Sequence, residues 1–150
     1  MSRYRLSAPI WRYIEHELYQ YDQNRRDLEE FREDVLEGTP KLDNPGGSRS
    51  GPGDPTASKG MRLVSSSAIV KTARDLRAID RALRRLTEDH RAIYELFYRE
   101  NMPWERVTIE MPTSRRSFFR LRRELVFMVA SEMGFRVGTN LALLRDIHVL

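Results

Sequence analysis

The sequence contains no cysteine, and only three of its 26 basic residues are lysines, Lys41, Lys59 and Lys71. The absence of cysteine excludes disulfide bonds, a thiolate nucleophile and a cysteine-ligated zinc site. Because lysine is scarce, arginine carries nearly all of the positive charge. The planar guanidinium of arginine suits phosphates and the edge of guanine better than the lysine ammonium does. This composition favours an anionic partner.

Long apolar segments are also missing. The longest uninterrupted apolar run spans residues 125–130, whereas a membrane-crossing helix needs roughly 20 residues. The first residues run into a charged amphipathic pattern and offer no apolar stretch of signal-peptide length. We therefore expect a soluble, cytoplasmic protein with no membrane partner. With 150 residues, of which 40% are hydrophobic and 32% charged, the chain fits one domain or two very small ones.

Signals of catalysis are absent from the sequence. His16, His90 and His148 are scattered without metal-ligand spacing, and we find no nucleophile paired with a base. The glycine-rich run at 46–53 lacks the Gly-Lys-Ser/Thr ending of a phosphate-binding loop. The exposed acids of residues 29–34 are interpreted as the solvated face of a helix. We predict that the protein is not an enzyme and binds no cofactor and no metal.

Charge is segregated along the chain. Residues 9–37 contain nine acids and four bases, whereas residues 59–86 contain eight bases and two acids. Residues 113–123 contain five arginines and no acid. Such asymmetry indicates an anion-binding part joined to a different module.

A break in composition separates these modules. Residues 38–58 hold five of the eight glycines and four of the seven prolines, with Leu42 as the one large apolar side chain. A segment with so little to bury is typical of a linker or a long loop. We predict a hairpin of acidic helices at 1–37, a linker at 38–58, a C-terminal body at 59–134 and a tail at 135–150.

Helical periodicity accounts for nearly everything outside the linker, so the predicted fold class is all-α. Ser7 is expected to cap a first helix, and a second is expected to begin near Asn24 and to end at Gly38. The second helix has Leu28, Phe31, Val35 and Leu36 on its inner face. Short helices joined by a few residues pair as a hairpin, and its core is expected to contain Trp11, Tyr13 and Tyr19.

The third helix is expected to be long. Apolar residues at spacings of three and four run from Ile69 to Leu86, and the helix should begin near Ala57, after a cap at Asp54 or Thr56. A fourth helix is predicted to begin at Thr87, with Ile93, Leu96 and Phe97 inside.

The last part of the chain has the pattern of a helix–turn–helix. Pro103 is expected to begin a short helix, with Trp104 as a wedge between the last helices, and residues 111–113 form the turn. Ser114 is then the cap of a final helix that extends to about residue 133. Its inner stripe is predicted to be Phe118, Leu121, Leu125, Met128 and Val129.

The outer side of this final helix carries the predicted function. A recognition helix places its first residues on base edges in the major groove, while flanking basic residues hold phosphates. The predicted base-reading residues are Arg115, Arg116, Ser117, Phe119 and Arg120, with Phe119 expected to be exposed. The predicted phosphate contacts are Arg106, Ser114, Arg122 and Arg123. A plain solvated helix and a surface for a protein partner remain open as alternatives.

A family resemblance appears at these residues. The span 86–125 is similar to the helix–turn–helix of the fourth conserved region of bacterial sigma factors. More broadly, the chain to about Gly134 resembles the RinA/ArpU-type phage late-transcription regulators, through WRYIEHELYQY…LEEFREDVLEG, GDPTASKGMRLV and MPWERVTIEM-PTSRRSFFRLRREL. The resemblance implies a bacterial host, activation of phage or prophage late genes, and a DNA-reading helix at Ser114–Glu124.

The sequence also departs from the sigma-like pattern. Thr108 stands in place of the usual alanine, Pro112 in place of glycine, and Thr113 in place of valine or isoleucine. Because proline cannot adopt the positive φ of a glycine turn, we expect a different turn geometry between the same two helices.

The expected partner is therefore double-stranded DNA at a promoter or operator. Contact with host RNA polymerase and formation of a homodimer are left open. Two alternative functions come from other classes of protein. One is a small terminase subunit that recognises phage DNA for packaging, and the other is an adaptor that acts through the acidic hairpin without nucleic acid.

Overall fold

The computed structural model describes residues 6–37 and 55–135, with the side chains of the third helix described from Ser67 onward. In this part of the chain every regular element is helical, which confirms the all-α prediction. The elements are α1 (Ala8–Tyr19), α2 (Tyr21–Glu37), α3 (Pro55–Arg84), α4 (Glu88–Ile93), a π-helix (Tyr94–Arg99), α5 (Trp104–Glu110) and α6 (Arg115–Glu132).

Helix α6 lies at the centre of the fold and contacts α1, α3, α4 and α5. Its predicted inner stripe is confirmed, since Phe118, Leu125 and Val129 are fully buried and Leu121 and Met128 nearly so. Every other helix that surrounds α6 contributes at least one fully buried side chain to the same core. These side chains are Ile14 and Leu18 of α1, Ile79 of α3, Ile93 of α4 and Val107 of α5. The burial of these apolar side chains from every surrounding helix fixes the orientation of α6 relative to its neighbours.

The junction of α1 and α2 differs from the expected hairpin. The second helix begins at Tyr21 rather than near Asn24, so Gln20 alone separates the two helices. Gln20 has φ −91° and ψ 2°, its N–H donates to the carbonyl of His16, and its carbonyl accepts from the N–H of Asn24. An antiparallel pair needs a loop of about two to five residues, so this junction is a break in the helix rather than a hairpin loop.

The aromatic residues of α1 pack on the C-terminal body. The ring of Trp11 meets Phe127 edge-on at 6.3 Å, and Tyr19 lies 5.0 Å from Tyr98. Tyr13 donates a hydrogen bond to Asp75 of α3. These three side chains were expected in the core of a hairpin, but their partners belong to α6, the π-helix and α3. Helix α1 therefore packs directly against α3, the π-helix and α6.

The end of α2 also differs from expectation. Leu28 is half-buried, but Phe31, Val35 and Leu36 are 36%, 55% and 75% exposed. The acids of residues 29–34 lie on the solvated surface as predicted. The predicted apolar face of α2 is therefore buried in its first part and solvent-accessible in its last two turns.

Helix α3 confirms the predicted long helix, although it begins and ends two residues earlier in the chain than predicted. Residues 38–54 of the predicted linker lie outside the described residues, as do the cap candidate Asp54 and the tail after Phe135. Residues 55–58 are helical rather than linker, because a proline is well suited to the first position of a helix. Thr56 is the second residue of α3 and is not its cap.

The predicted N-cap residues of α1 and α4 differ in whether their side chains make a capping hydrogen bond. Ser7 occupies the N-cap position of α1, but its side chain makes no capping hydrogen bond within the described part of the chain. Thr87 caps α4, as predicted, by accepting from the N–H of His90. Helix α4 continues into the π-helix, and Asn101, in the segment between the π-helix and α5, has φ 53°. Among the residues that the structure describes, no helix is long and apolar enough to cross a bilayer.

Candidate nucleic-acid interface

The two helices of the predicted helix–turn–helix are α5 and α6. Pro103 is the N-cap residue of α5, and Val107 anchors this short helix in the core. Of the described residues, only Asn101 and Gly134 have a positive φ. The turn at 111–113 is therefore built without a left-handed residue, and this is how Pro112 is accommodated.

Ser114 caps α6 as predicted. Its Oγ accepts from the N–H of Ser117 at 3.1 Å, and the two hydroxyl oxygens lie 3.0 Å apart, with Ser114 as the donor. Ser117 is half-buried, and its hydroxyl accepts a hydrogen bond from Ser114 within the cap. The predicted phosphate contact Ser114 and the predicted base reader Ser117 both take part in holding the first turn of α6.

The first turn of α6 has an unusual charge arrangement. Arg115 and Arg116 are both exposed, and this turn contains no acid. A positive charge at a helix N-terminus opposes the helix dipole and costs roughly 0.3–1 kcal/mol. Both arginines therefore stand where they do not favour the isolated helix, and an anion bound beside them would remove this penalty.

Three arginines share the exposed face of the N-terminal half of α6. Arg116, Arg120 and Arg123 are spaced by four and three residues, which places them on one side of the helix. Arg120 lies 3.7 Å from the half-buried Glu124 in an i,i+4 pair, and its own side chain is 64% exposed. Arg106 of α5 is 66% exposed and lies 3.6 Å from Glu110.

The structure corrects the expectation that Phe119 is exposed. Phe119 is half-buried, with its ring 5.1 Å from Phe118 and 5.6 Å from Trp104. Trp104 thus acts as the predicted wedge between α5 and α6. The guanidinium of Arg115 lies over the rings of Trp104 and Phe119, at 5.1 and 5.8 Å from their centroids. The contact with the ring of Trp104 removes part of the Phe119 ring from solvent, which is favourable for an aromatic side chain.

Arg122 is likewise not the surface arginine that was expected to hold a phosphate. Its side chain is 24% exposed, and its Nε and Nη2 donate to Oε1 of Glu15 at 2.9 and 2.6 Å. The guanidinium also lies over Phe97 and Trp11, at 5.0 and 5.8 Å from the centroids. Burial is the largest single influence and lowers the pKa of Arg122, but the hydrogen bonds and charges of Glu15 and Tyr98 together outweigh it, so the pKa is raised. Arg122 joins α6 to α1 and is not available to a ligand.

Two further contacts that fix α6 were not predicted from the sequence. His90 is 4% exposed and lies between Thr87 Oγ1 at 2.6 Å and Glu124 Oε2 at 2.7 Å. The bond to His90 lowers the pKa of Glu124, although burial opposes the shift. At the far end of α6, Glu132 accepts from Arg81 at 2.9 Å and from Arg85 at 2.7 Å. The Thr87–His90 spacing is a local signal, but nothing in the sequence links His90 with Glu124.

A family model described as a protein of unknown function (DUF722) matches residues 18–131. This match extends from the end of α1 through α6 except its last residue, and it includes the whole candidate interface. The curated proteins and the solved structures give no match. In the described residues no group of three or more histidines and acids is arranged to hold a metal.

Proposed function

The chain belongs to the DUF722 family of proteins of unknown function, and we propose that it is a DNA-binding transcription regulator whose helix α6 enters the major groove. The observation that carries this proposal is the arginine surface of α6. Arg116, Arg120 and Arg123 project from one side of a helix whose opposite side is buried. The acid-free first turn adds positive charge at the end that enters the groove first in a helix–turn–helix.

The dimensions of this surface fit duplex DNA. An α-helix with its side chains is roughly 10–12 Å in diameter. The major groove is about 12 Å wide and admits one α-helix. Of the three arginines on the exposed face, Arg116 and Arg120 are nearer to the cap and are the base-reading candidates, and Arg123 is the phosphate contact one turn further along. Arg106 of α5 is a second phosphate candidate.

The resemblance to sigma-like helix–turn–helix segments supports transcription as the process. The residues that carry this resemblance, 86–125, include α4, the π-helix, α5 and the N-terminal part of α6. The resemblance to RinA/ArpU-type regulators extends the proposal to promoters of phage or prophage late genes, with host RNA polymerase as a further partner. No catalytic step is part of this proposal.

The test is a salt titration of the full chain with duplex DNA. About four neutralised phosphates give a slope of roughly −3.6 for log K against log salt concentration. Replacement of Arg116 and Arg123 by alanine should weaken binding, whereas Arg32→Ala is the matched control. Arg32 is an exposed arginine in the acidic helix α2, and its replacement changes the net charge in the same direction. A slope near zero for the unmodified protein, or equal weakening by the control, would overturn the proposal.

A further inference from the structure

We propose that Arg115 is a fixed clamp for one backbone phosphate of the duplex, held in place by Trp104 and Phe119, and that it is not a base reader. This inference rests on the proposed function. It assigns to Arg115 a different chemical role from that of Arg116, although the two arginines are neighbours at the start of α6. A contact to phosphate sets the register of the recognition helix, whereas contacts to bases supply sequence preference.

The direction of the side chain is the first argument. Successive residues of an α-helix are rotated by about 100° around its axis. Arg116, Arg120 and Arg123 define the face that points into the groove, so Arg115 is turned by about 100° toward α5. Its contacts agree, since both rings beneath it belong to the α5–α6 junction. A residue at the side of a groove-bound helix faces the sugar–phosphate strand that borders the groove.

Arg115 is also held beside two aromatic rings, with its guanidinium carbon 5.1 Å from the centroid of Trp104 and 5.8 Å from that of Phe119. A guanidinium at such distances is attracted to the rings, while its N–H groups that point away from them can still donate to an acceptor. Arg115 is exposed, so these N–H groups are accessible. A free arginine loses much of its rotamer freedom when it binds a ligand. The contact with the two rings reduces this freedom in the unbound protein and so lowers the entropy that is lost when a phosphate binds.

Phe119 contributes to the same contact. The centroid of its ring lies 5.6 Å from that of Trp104, and both rings lie close to the guanidinium of Arg115. Trp104 and Phe119 are therefore positioning residues that act through Arg115. Trp104 is the first residue of α5 and Arg115 the first residue of α6, so the clamp joins the N-terminal ends of both helices.

The experiment begins with selection of a preferred duplex from a random pool by the unmodified protein. Binding of each variant is then measured on this duplex and on a scrambled one. Arg115→Ala should weaken both about equally and reduce the salt slope by about one unit. Arg116→Ala should weaken the preferred duplex about tenfold or more, with a much smaller effect on the scrambled one. Ethylation interference should lose one phosphate position in Arg115→Ala and keep all others.

Two Trp104 variants separate positioning from folding. Trp104→Leu should reduce affinity about 3-fold, the size expected for an exposed cation–π contact, and Trp104→Phe should restore most of it. In the Arg115→Ala background Trp104→Leu should have no further effect on binding, whereas a general loss of folding would weaken binding in either background. Phe119→Leu should behave like Trp104→Leu.

The outcomes distinguish this inference from the proposed function. If the unmodified protein binds no duplex, the proposed function itself is overturned. If it binds with sequence preference, but Arg115→Ala removes the preference and leaves the ethylation pattern unchanged, Arg115 is a base reader and the clamp is wrong. Additive effects of Trp104→Leu and Arg115→Ala would show that the tryptophan does not act through the arginine.

Discussion

Glu15 should be the side chain of α1 on which the position of α6 depends most strongly. One of its oxygens, Oε1, accepts from the hydroxyl of Tyr98 at 2.7 Å and from two nitrogens of Arg122. Tyr98 is 1% exposed, and burial, followed by the negative charge of Glu15, raises its pKa well above the ordinary value. The change to test is Glu15→Ala, which removes the common acceptor of α1, the π-helix and α6.

The expected cost comes from the groups that are left behind. A buried hydroxyl without a partner costs about 1–3 kcal/mol. An unpaired charge in a fully buried ion pair would cost about 3–5 kcal/mol, but Arg122 is 24% exposed and recovers part of its hydration. We therefore expect the free energy of unfolding to fall by about 2–4 kcal/mol. Glu15→Gln keeps an acceptor oxygen and should cost about half as much.

Urea unfolding followed by circular dichroism measures this change, with the exposed Glu30→Ala as a control expected to stay within about 0.5 kcal/mol. Adding Tyr98→Phe to Glu15→Ala should recover part of the loss, because the stranded hydroxyl is removed together with its partner. A loss of less than about 0.5 kcal/mol for Glu15→Ala would refute the assignment of Glu15 as the joint of the three elements.

Two further predictions concern the ends and flank of α6. Ser114→Ala should lower the free energy of unfolding by about 1 kcal/mol in urea, because the Ser117 N–H loses its acceptor; an unchanged midpoint would contradict it. The bond to His90 lowers the pKa of Glu124 in the folded protein, and the bonds to Arg81 and Arg85 lower that of Glu132. These two ionised carboxylates therefore stabilise the fold fully at a pH above the pKa of an unfolded glutamate, about 4.3. This contribution is lost as the pH falls through their lower pKa values in the folded state. The loss of stability on acidification should be shallower in Glu124→Gln than in the unmodified protein, and identical acid profiles would refute this.

The sequence by itself determined the features that depend on neighbours three or four residues apart. The buried stripe of α6, including Phe118 and Leu125, follows from helical spacing, because a helix must bury its apolar side. The caps at Thr87 and Ser114 were predictable for a similar reason, since the hydrogen bond closes within the first turn of the same helix.

Only the tertiary structure decided which outward-facing side chains remain available to a ligand. Arg122 and Arg123 are adjacent arginines on one helix, yet Arg122 is bound to Glu15, which lies 107 residues away in the chain. Phe119 was expected among the exposed residues and instead packs against Trp104 of the preceding helix. The helical pattern gives the direction of each side chain around its own axis. Whether another helix lies against that side chain depends on the packing of the whole chain. This packing decided which arginines stabilise the fold and which face solvent.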